Sequence, residues 1–363
     1  MTKTMKALPE EMRAVVAYAP GDYRLEVVET PKLENDQEII VEVEACGICA
    51  GDAKAHAGAV SFWGGDDYQP AYIKAPVIPG HEFIGRIVEL GAAVKDFKVG
   101  DRIISEQIVP CWECRFCKSG NYWMCEKHDL YGFQYHVHGG MAEYMKFTKE
   151  AINYKVPEDL PIEKAILIEP YACSLHAVQR AQIQIGDTVV IAGAGTLGLG
   201  MVGAAKKAGA GKLIVLDLLE DRLKLAKKFG ADLTINPAKE DAVKIIKDLT
   251  DGYGCDIYIE ATGHPKSVEQ GLSAIRKLGR FVEFSVFKDP VTIDWSIIGD
   301  RKELDVLGSH LGPYCYPIVI DGIAKGDFPT EGVVTHQLPL EDFEQGFEMV
   351  KSGKDSLKVV LVP

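Results

Sequence analysis

The sequence predicts a two-domain protein in which a small β-rich domain accompanies an α/β domain with a doubly wound parallel sheet. Three observations support this prediction. The chain has 363 residues, which is more than one hydrophobic core usually serves. Residues 1–160 contain short strand-like runs separated by Gly and Pro, whereas residues 165–310 alternate strand-like and helical runs.

The strand-rich stretch comes first. Alternating apolar residues and β-branched residues predict the strands RAVVAYAP, YRLEVVE, EIIVEVEACG, EFIGRIVELG and DRIISEQIV. In the second stretch, DTVVIAG, KLIVLD, LTINP, CDIYIEATG and RFVEFSV predict strands, and the runs between them, including EDRLKLAKKFG and SVEQGLSAIRKLG, predict helices. This alternation is typical of a parallel sheet covered by helices. Two helices and two strands follow, and they could return to the β-rich domain.

Composition and charge exclude several classes of function. The formal net charge is −13, whereas binding to nucleic acid or to an anionic membrane needs a basic surface. The start of the chain lacks the apolar segment and the cleavage site of a signal peptide. In a chain without such a signal, nine cysteines predict thiols and metal ligands instead of disulfides, and we expect a cytoplasmic protein.

A dinucleotide-binding fingerprint lies in the α/β stretch. The run GAGTLG follows the strand TVVIA and opens a predicted helix; its key positions are Gly193, Gly195, Thr196, Leu197 and Gly198. The first glycine suits a tight turn, the second lets the backbone approach a pyrophosphate, and the third lets helix and strand pack closely. Asp217 ends the next strand, where it can bind the ribose hydroxyls and repel a 2′-phosphate, which favours NAD over NADP. Arg222 could approach the adenosine, although a surface charge is the simpler interpretation.

Four cysteines lie close together in the β-rich stretch, at Cys111, Cys114, Cys117 and Cys125. Four thiolates in one loop suit a closed, tetrahedral structural zinc site, since a short loop loses little entropy when it closes. An iron–sulfur cluster is one alternative, but the run lacks the short final spacing followed by Pro. Unliganded thiols are the other alternative.

A second metal site, with an open position, is predicted from separated segments. Its candidate ligands are Cys49, His81, Glu82 and Glu169. A catalytic zinc keeps three protein ligands and one open position, and the ligands usually come from distant parts of a sequence. Each residue also has a simple structural explanation: a buried thiol, a hydrogen-bonded His–Glu pair, and a glutamate that caps a helix.

With these motifs in place, the chain resembles the zinc-dependent medium-chain alcohol and polyol dehydrogenases. GICAGD, PGHEFIGRIVELG, GDRI, the four-cysteine run, GGMAEY, GAGTLG and KELDVLGSH occur in the order of that family over nearly the whole length. The resemblance implies a GroES-like catalytic domain made of residues 1–165 and 306–363, with a structural zinc lobe at 108–128. It further implies an NAD-binding Rossmann domain at 166–305 and assembly into a homotetramer or homodimer.

The resemblance also implies roles for the candidate ligands. Cys49 and His81 match catalytic zinc ligands, whereas Cys46 matches a non-ligand position. Glu82 matches the acid beside the ligands, which binds the metal or exchanges on and off it. Glu169 matches the region of the third ligand, which binds zinc directly or through water.

The proton path is the point at which this chain departs from the family. Members usually carry Ser or Thr two residues after the cysteine ligand to begin a proton relay, but here Gly51 has no hydroxyl. Lys54, His56, Glu169 or a water molecule could take over, and we expect Glu169 with water. Asp52 is interpreted as a structural hydrogen-bond partner.

Further phrases predict the substrate. SFWG, SEQIVPCWEC, CEKHDLYGF and VTIDWSIIGD resemble the erythritol/L-threitol dehydrogenase branch of the family. We therefore expect NAD-dependent oxidation of a secondary hydroxyl on a small polyol, giving a ketose, with Trp63, Tyr68 and Tyr72 either lining the pocket or lying exposed in a loop. The alternatives are a threonine, sorbitol or butanediol dehydrogenase of the same family and, from another class, a non-catalytic NAD- and zinc-binding redox sensor.

Overall fold

The computed structural model describes residues 8–65, 70–288 and 290–363. It divides the chain into two compact units: the residues up to Glu169 together with Val333–Pro363, and Pro170–Gly332. The sequence analysis places the boundaries of the second domain at 166 and 305. The second unit of the structure begins four residues later and continues to Gly332. The extension carries a strand that pairs within the parallel sheet, which is why it groups with that unit.

The first stretch of the chain forms mainly strands. They are β1 (Glu11–Ala19), β2 (Asp22–Glu29), β3 (Ile39–Ile48), β4 (Glu82–Leu90), β5 (Arg102–Ser105), β6 (Ile108–Val109), β7 (Asp129–Leu130), β8 (Tyr144–Phe147) and β9 (Asn153–Lys155). The short helices among them are α1 (Ala50–His56), α2 (Val60–Trp63), α3 (Arg115–Lys118) and α4 (Ile162–Ala165), with a 3₁₀ turn at Tyr122–Met124.

The second stretch alternates helices and strands. Its helices are α5 (Ile168–Ala181), α6 (Thr196–Lys207), α7 (Glu220–Lys228), α8 (Ala242–Asp248), α9 (Pro265–Ala274) and α10 (Tyr316–Ala324). Its strands are β10 (Thr188–Ala192), β11 (Lys212–Leu216), β12 (Leu233–Ile235), β13 (Cys255–Glu260), β14 (Ile275–Glu283) and β15 (Asp305–Gly308), with a 3₁₀ turn at Trp295–Ile297. The chain continues with β16 (Val334–Pro339), a 3₁₀ turn at Leu340–Asp342, α11 (Phe343–Ser352) and β17 (Lys358–Val362).

The second unit is built on a six-stranded parallel sheet in the order β12-β11-β10-β13-β14-β15. This order reverses at β10, so the sheet is doubly wound, as predicted. Its central strands are apolar on both faces; in β10 and β11 every residue after the first is buried. The predicted α/β domain is therefore confirmed.

The first unit is built on a seven-stranded sheet in the order β16-β17-β3-β4-β5-β9, with β8 also paired to β3. Only β16 and β17 pair in parallel; the other pairs are antiparallel. Strand β17 thus joins the central strand β3 from a position more than 300 residues later in the chain, since Lys358 and Ile48 are separated by 310. The predicted return of the final segment to the β-rich domain is observed.

Helix α9 is shorter than the sequence predicts. The run SVEQGLSAIRKLG has helical spacing throughout, yet α9 ends at Ala274 and β14 begins at once with Ile275. The ammonium group of Lys302 donates to the carbonyl oxygens of Leu272 and Ile275, which satisfies acceptors at the end of the helix. A partner distant in sequence therefore satisfies the end of this helix, and local periodicity cannot show it.

Among the helices that the described residues form, none has the length and the apolar character needed to cross a membrane. The apolar run from Thr188 to Ala205 is divided between β10 and α6.

Candidate metal and dinucleotide sites

Three of the predicted ligands of the open metal site come together in the first unit. One ligand atom from each of Cys49, His81 and Glu82 lies within 4.8 Å of the others. Cys49 caps the N-terminus of α1, and His81 directly precedes β4, whose first residue is Glu82. In the antiparallel ladder Glu82 lies opposite Gly47 of β3, where a Cβ would collide with the Glu82 carboxylate. The glycine therefore leaves room for a buried acid at this end of the sheet.

The ammonium group of Lys358 neutralises Glu82. Lys358 on β17 and Glu82 are 3% and 2% exposed, and Nζ donates to both carboxylate oxygens, at 2.7 Å for Oε1. Nζ also donates to the carbonyl oxygen of Ile48 at 3.1 Å. Burial alone would lower the pKa of Lys358, but the charges of Glu82 and Cys49 outweigh it and raise that pKa above its usual value. Lys358 is therefore a cation whose charge faces the candidate metal centre.

Asp52 lies beside the two non-carboxylate ligands. Its Oδ2 accepts a hydrogen bond from the Cys49 backbone N–H at 2.9 Å, which closes a capping box at the start of α1. Its Oδ1 lies 3.4 Å from Nδ1 of His81, a buried nitrogen that makes no hydrogen bond. Burial lowers the pKa of His81, but Asp52 and Cys49 together more than offset that effect and raise the pKa well above its usual value. An outer carboxylate beside the imidazole is a common support of a metal-binding histidine.

Gly51 is not required by packing. A Cβ on this residue would meet Cys49 Sγ at 3.6 Å and the Phe62 ring at 3.7 Å, which are ordinary van der Waals contacts. The missing hydroxyl is therefore not a consequence of crowding. Of the other relay candidates, His56 stacks on Phe347 with ring centres 5.0 Å apart, and burial lowers its pKa. Lys54 is half-buried on α1.

Aromatic rings pack beside His81. Phe133 lies 5.3 Å from the His81 ring, stacks on Phe62 at 5.7 Å and contacts Tyr72 at 5.3 Å, all between ring centres. Of the predicted pocket aromatics, Tyr72 belongs to this cluster, whereas the indole N–H of Trp63 donates to the carbonyl oxygen of Ala55 at 2.7 Å. Tyr68 lies outside the described residues. The cluster provides an apolar wall next to one candidate ligand.

Glu169 lies outside the group of three ligand atoms. It is 4% exposed at the start of α5, and its Oε1 accepts a hydrogen bond from Nε2 of Gln107, which is 3% exposed. Its charge nevertheless acts on Lys358, as does that of Cys49, so all three belong to one electrostatic neighbourhood. The structure does not place Glu169 among the grouped ligand atoms.

The four cysteines of the predicted structural site also come together. Their Sγ atoms lie within 4.8 Å of one another, and the backbone N–H groups of Cys111 and Cys114 donate to Sγ of Cys125 and Cys111 at 3.2 and 3.3 Å. Backbone N–H groups, first of Cys117 and then of Glu126, lower the pKa of the Cys114 thiol to about 6, whereas burial raises that of Cys117. Four converging sulfurs supported by N–H donors fit tetrahedral zinc. In the described parts of the chain, this group and the Cys49 group are the two sets of three or more side chains with metal-ligand spacing.

The glycines of the fingerprint occupy the turn between β10 and α6. Gly193 has φ of +103°, and a Cβ there would meet the Ala261 carbonyl oxygen at 2.7 Å. A Cβ on Gly198 would collide with the carbonyl oxygen of Gly193, so this glycine is needed for close packing of helix on strand. By contrast, nothing lies within 4 Å of a Cβ on Gly195, the N-cap residue of α6. The backbone is thus open to a ligand at the helix N-terminus, where N–H groups favour a phosphate.

Asp217 follows β11 and reaches back to this turn. Its Oδ2 accepts from the Ala194 N–H at 2.7 Å, and its Oδ1 accepts from the Leu219 N–H at 2.9 Å. The carboxylate is therefore fixed beside the glycine-rich turn, as a ribose-binding acid should be. Thr196 and Leu197 form the first turn of α6, and Arg222 is half-buried on α7.

Two residues of the first unit were missed by sequence reasoning. Lys358 is the single charged residue of the strand KVVLV, and a lone cation in an apolar strand is a signal that it has a buried partner. Gln107 follows Glu106 between β5 and β6, and nothing in the sequence marks it as the partner of Glu169.

Comparison with known proteins adds to this geometry. An alcohol dehydrogenase GroES-like domain matches residues 35–158, and a zinc-binding dehydrogenase domain matches residues 196–325. Erythritol/L-threitol dehydrogenase from Mycolicibacterium smegmatis is 56% identical over 359 residues, covering 98% of this chain and 99% of that protein.

Two solved structures are also similar to this chain. 2R,3R-butanediol dehydrogenase from Bacillus subtilis has a TM-score of 0.85 at 30% identity, covering 97% and 99% of the two chains. A zinc-binding dehydrogenase from Sinorhizobium meliloti 1021 bound to NADP has a TM-score of 0.87 at 29% identity, covering 98% and 100%.

Proposed function

The chain belongs to the zinc-binding dehydrogenase family and is a zinc-dependent polyol dehydrogenase; we propose that its substrate is a four-carbon polyol such as erythritol or L-threitol, oxidised at a secondary hydroxyl to a ketose. The similarity to erythritol/L-threitol dehydrogenase along nearly the whole chain is the observation that carries this proposal. Cys49, His81 and Glu82, three side chains that can bind a metal, lie close together, which supports a catalytic metal site in this chain.

The residues fit two zinc ions of different kinds. Cys49, His81 and Glu82 offer three ligand atoms, the number that a catalytic zinc takes from the protein. The four-cysteine group is closed and suits a structural zinc. When bound, the catalytic zinc would act as a Lewis acid on the substrate hydroxyl, and NAD would accept the hydride from the same carbon. Lys358 balances the charge of Glu82.

The residues of the second unit support NAD as the hydride acceptor. The open N-terminus of α6 suits the pyrophosphate, and the Asp217 carboxylate suits a free ribose 2′-hydroxyl and repels a 2′-phosphate. The similar Sinorhizobium enzyme binds NADP, so the choice of NAD rests on Asp217.

The proton released from the substrate hydroxyl needs an acceptor. Gly51 offers none, and His56 is held in an aromatic stack. We propose that Glu169, oriented by Gln107, accepts this proton through a water molecule.

A panel of substrates tests the proposed function. Purified protein is assayed for NADH formation with erythritol, L-threitol, xylitol, sorbitol, 2,3-butanediol and L-threonine. We expect the highest kcat/KM with a four-carbon polyol. A higher value with threonine or sorbitol would assign the chain to that specificity, and no turnover with any substrate despite bound zinc would favour the redox sensor.

Metal analysis supplies a matched control. We expect two zinc ions per chain, one for each group of ligands. Cys49→Ala should lose one zinc and all turnover, whereas Cys46→Ala, which removes a buried thiol outside the group, should keep both. Loss of activity in both variants with both zinc ions retained would contradict the ligand assignment.

The oligomeric state and the cellular compartment are also proposals. We propose a homodimer or homotetramer, to be tested by light scattering coupled to size-exclusion chromatography. No disulfide bond joins the nine cysteines, which supports the proposed cytoplasmic location.

A further inference from the structure

Gly51 adjoins one of the candidate metal ligands. It lies in the first turn of α1, and its backbone N–H donates to Sγ of Cys49 at 3.3 Å. A Cβ on this residue would lie 3.6 Å from that sulfur and 3.7 Å from Cζ of Phe62. Among the described residues, and apart from its chain neighbours and the backbone of α1, no other atom comes within 4 Å of that position. A side chain here would therefore point into a space between the ligand sulfur and the Phe62 ring.

No local requirement explains a glycine at this position. Gly51 does not have the positive φ that favours glycine, and an added Cβ would make ordinary van der Waals contacts. Glycine in a helix is less favourable than alanine, because the unfolded chain loses more conformational freedom on folding. Gly51 thus lowers the stability of α1 and keeps a space open beside a metal ligand, which points to a use of that space by a bound molecule.

A fixed aromatic wall bounds the far side of this space. Phe62 and Phe133 are 8% and 6% exposed and stack with ring centres 5.7 Å apart. The Phe62 carbonyl oxygen accepts from two backbone N–H groups at 2.9 Å each, and the Phe133 ring lies 5.3 Å from that of His81. The two rings therefore extend from the space beside Gly51 to the second candidate ligand. A group in that space would meet sulfur on one side and an apolar ring on the other.

The stereochemistry of the proposed reaction gives this space a use. The reacting carbon of a primary alcohol carries one carbon substituent, whereas that of a secondary alcohol carries two. With the hydroxyl at the metal ligands and the hydrogen on the same carbon directed at the hydride acceptor, both substituents need room beside the ligands. A side chain at position 51 would compete with one of them next to Cys49.

We propose that Gly51 is a specificity-determining residue. The space between Cys49 and Phe62 holds the smaller carbon substituent of a secondary alcohol, which in a four-carbon polyol oxidised at an internal position is the terminal hydroxymethyl group. This inference rests on the proposed function. It gives the absence of a side chain at position 51 a single cause, which is room for the substrate.

The test narrows the space by one carbon atom. The kcat/KM values for 2,3-butanediol, whose hydroxyls are both secondary, and 1,4-butanediol, whose hydroxyls are both primary, are measured with wild-type protein and with Gly51→Ala. One methylene group in a pocket is worth about 10- to 200-fold in kcat/KM, so we expect the secondary-to-primary ratio to fall roughly 10- to 100-fold in the variant. An unchanged ratio would overturn the role of Gly51.

A binding measurement gives the same comparison without turnover. NADH fluorescence in the zinc-loaded enzyme–NADH complex yields the dissociation constant of each diol. Gly51→Ala should weaken the binding of 2,3-butanediol about 10-fold or more and change that of 1,4-butanediol less than about 3-fold. Equal weakening of both diols would indicate a general disturbance of the metal site and would contradict the proposal.

Two further variants separate bulk from other effects. Gly51→Ser adds a hydroxyl as well as bulk and should lower the ratio as Gly51→Ala does; a rise in kcat on both diols with serine and no effect of alanine would assign position 51 to proton transfer and overturn the proposal. The matched control is Ala50→Ser, an exposed residue of the same helical turn, which should leave the ratio and both dissociation constants unchanged.

Unfolding temperature distinguishes this role from a structural one. Because alanine favours a helix more than glycine does, Gly51→Ala should unfold at a temperature at least as high as wild type and retain both zinc ions, although its selectivity changes. A lower unfolding temperature together with an unchanged diol ratio would show that Gly51 serves the fold instead.

The outcomes also separate the two proposals. Wild-type protein that oxidises 2,3-butanediol or a four-carbon polyol, with a diol ratio that Gly51→Ala does not change, would overturn the role of Gly51 and leave the polyol dehydrogenase proposal standing. Wild-type protein that oxidises neither diol nor any four-carbon polyol would overturn both.

Discussion

Replacement of Lys358 by methionine should destabilise the first unit strongly. Methionine has a similar length and fits a buried strand, so the change removes the charge with little loss of packing. In zinc-free protein the Glu82 carboxylate, 2% exposed, would then lie uncompensated next to Cys49. Lys358→Met therefore isolates the contribution of one buried ion pair.

The distances set the size of the effect. At the 2.7 Å between Nζ and Oε1, Coulomb's law with an effective dielectric constant of about 20 gives a gross attraction of about 6 kcal/mol. Part of this offsets the cost of burying the two charges. Loss of one partner of a buried pair usually costs about 3–5 kcal/mol, and we expect Lys358→Met to lower the free energy of unfolding by that amount.

A double-mutant cycle measures the pair itself. Urea unfolding of zinc-free wild type, Lys358→Met, Glu82→Gln and the double variant gives the four free energies without a contribution from metal binding to Glu82. Because the double variant carries no unpaired buried charge, it should be more stable than Lys358→Met. We expect a coupling energy between Lys358 and Glu82 of at least about 2 kcal/mol. The reasoning is refuted if Lys358→Met unfolds within about 1 kcal/mol of wild type, or if the added Glu82→Gln change restores nothing.

Three further predictions concern other parts of the molecule. Asp217→Asn removes the charge that repels a 2′-phosphate, so the affinity for NADPH relative to NADH should rise about tenfold or more in fluorescence titrations; an unchanged ratio would contradict the role of this acid. Burial raises the pKa of Glu106 to about 7, so the native state binds its proton more tightly and wild-type stability should fall as pH rises from about 4.5 to 7, by up to roughly 3 kcal/mol relative to Glu106→Gln. Parallel stability curves for the two proteins over that range would count against this. Cys114→Ser should release one zinc and lower the unfolding temperature, whereas Cys255→Ser, a buried thiol on β13, should leave both zinc ions bound.

Some parts of this molecule could be predicted from local sequence because their physical cause is local. The glycines at 193 and 198 are required by backbone geometry within one turn, and the four cysteines need only a short loop to converge. Alternation of apolar strands and amphipathic helices indicated the parallel sheet for the same reason. In each case a few neighbouring residues carry the information.

Other parts could not be predicted because their cause lies between distant segments. The partner of Glu82 lies 276 residues away at Lys358, and the partner of Glu169 lies 62 residues away at Gln107. A carbonyl oxygen at the end of α9 is satisfied by Lys302, which lies beyond the following strand. A lone lysine in an apolar strand is a usable warning of such a pair, but it does not identify the partner.

The placement of β17 next to β3 has a consequence for the order of folding. The second unit is one continuous segment, so it can form its parallel sheet without any other part of the chain. The first unit cannot close its sheet until a strand more than 300 residues downstream of β3 arrives, and closing so distant a contact is slow. Until then Glu82 has no lysine partner. A refolding experiment followed by zinc uptake should therefore show the nucleotide-binding unit regaining structure first, with the open metal site becoming competent only when β17 docks.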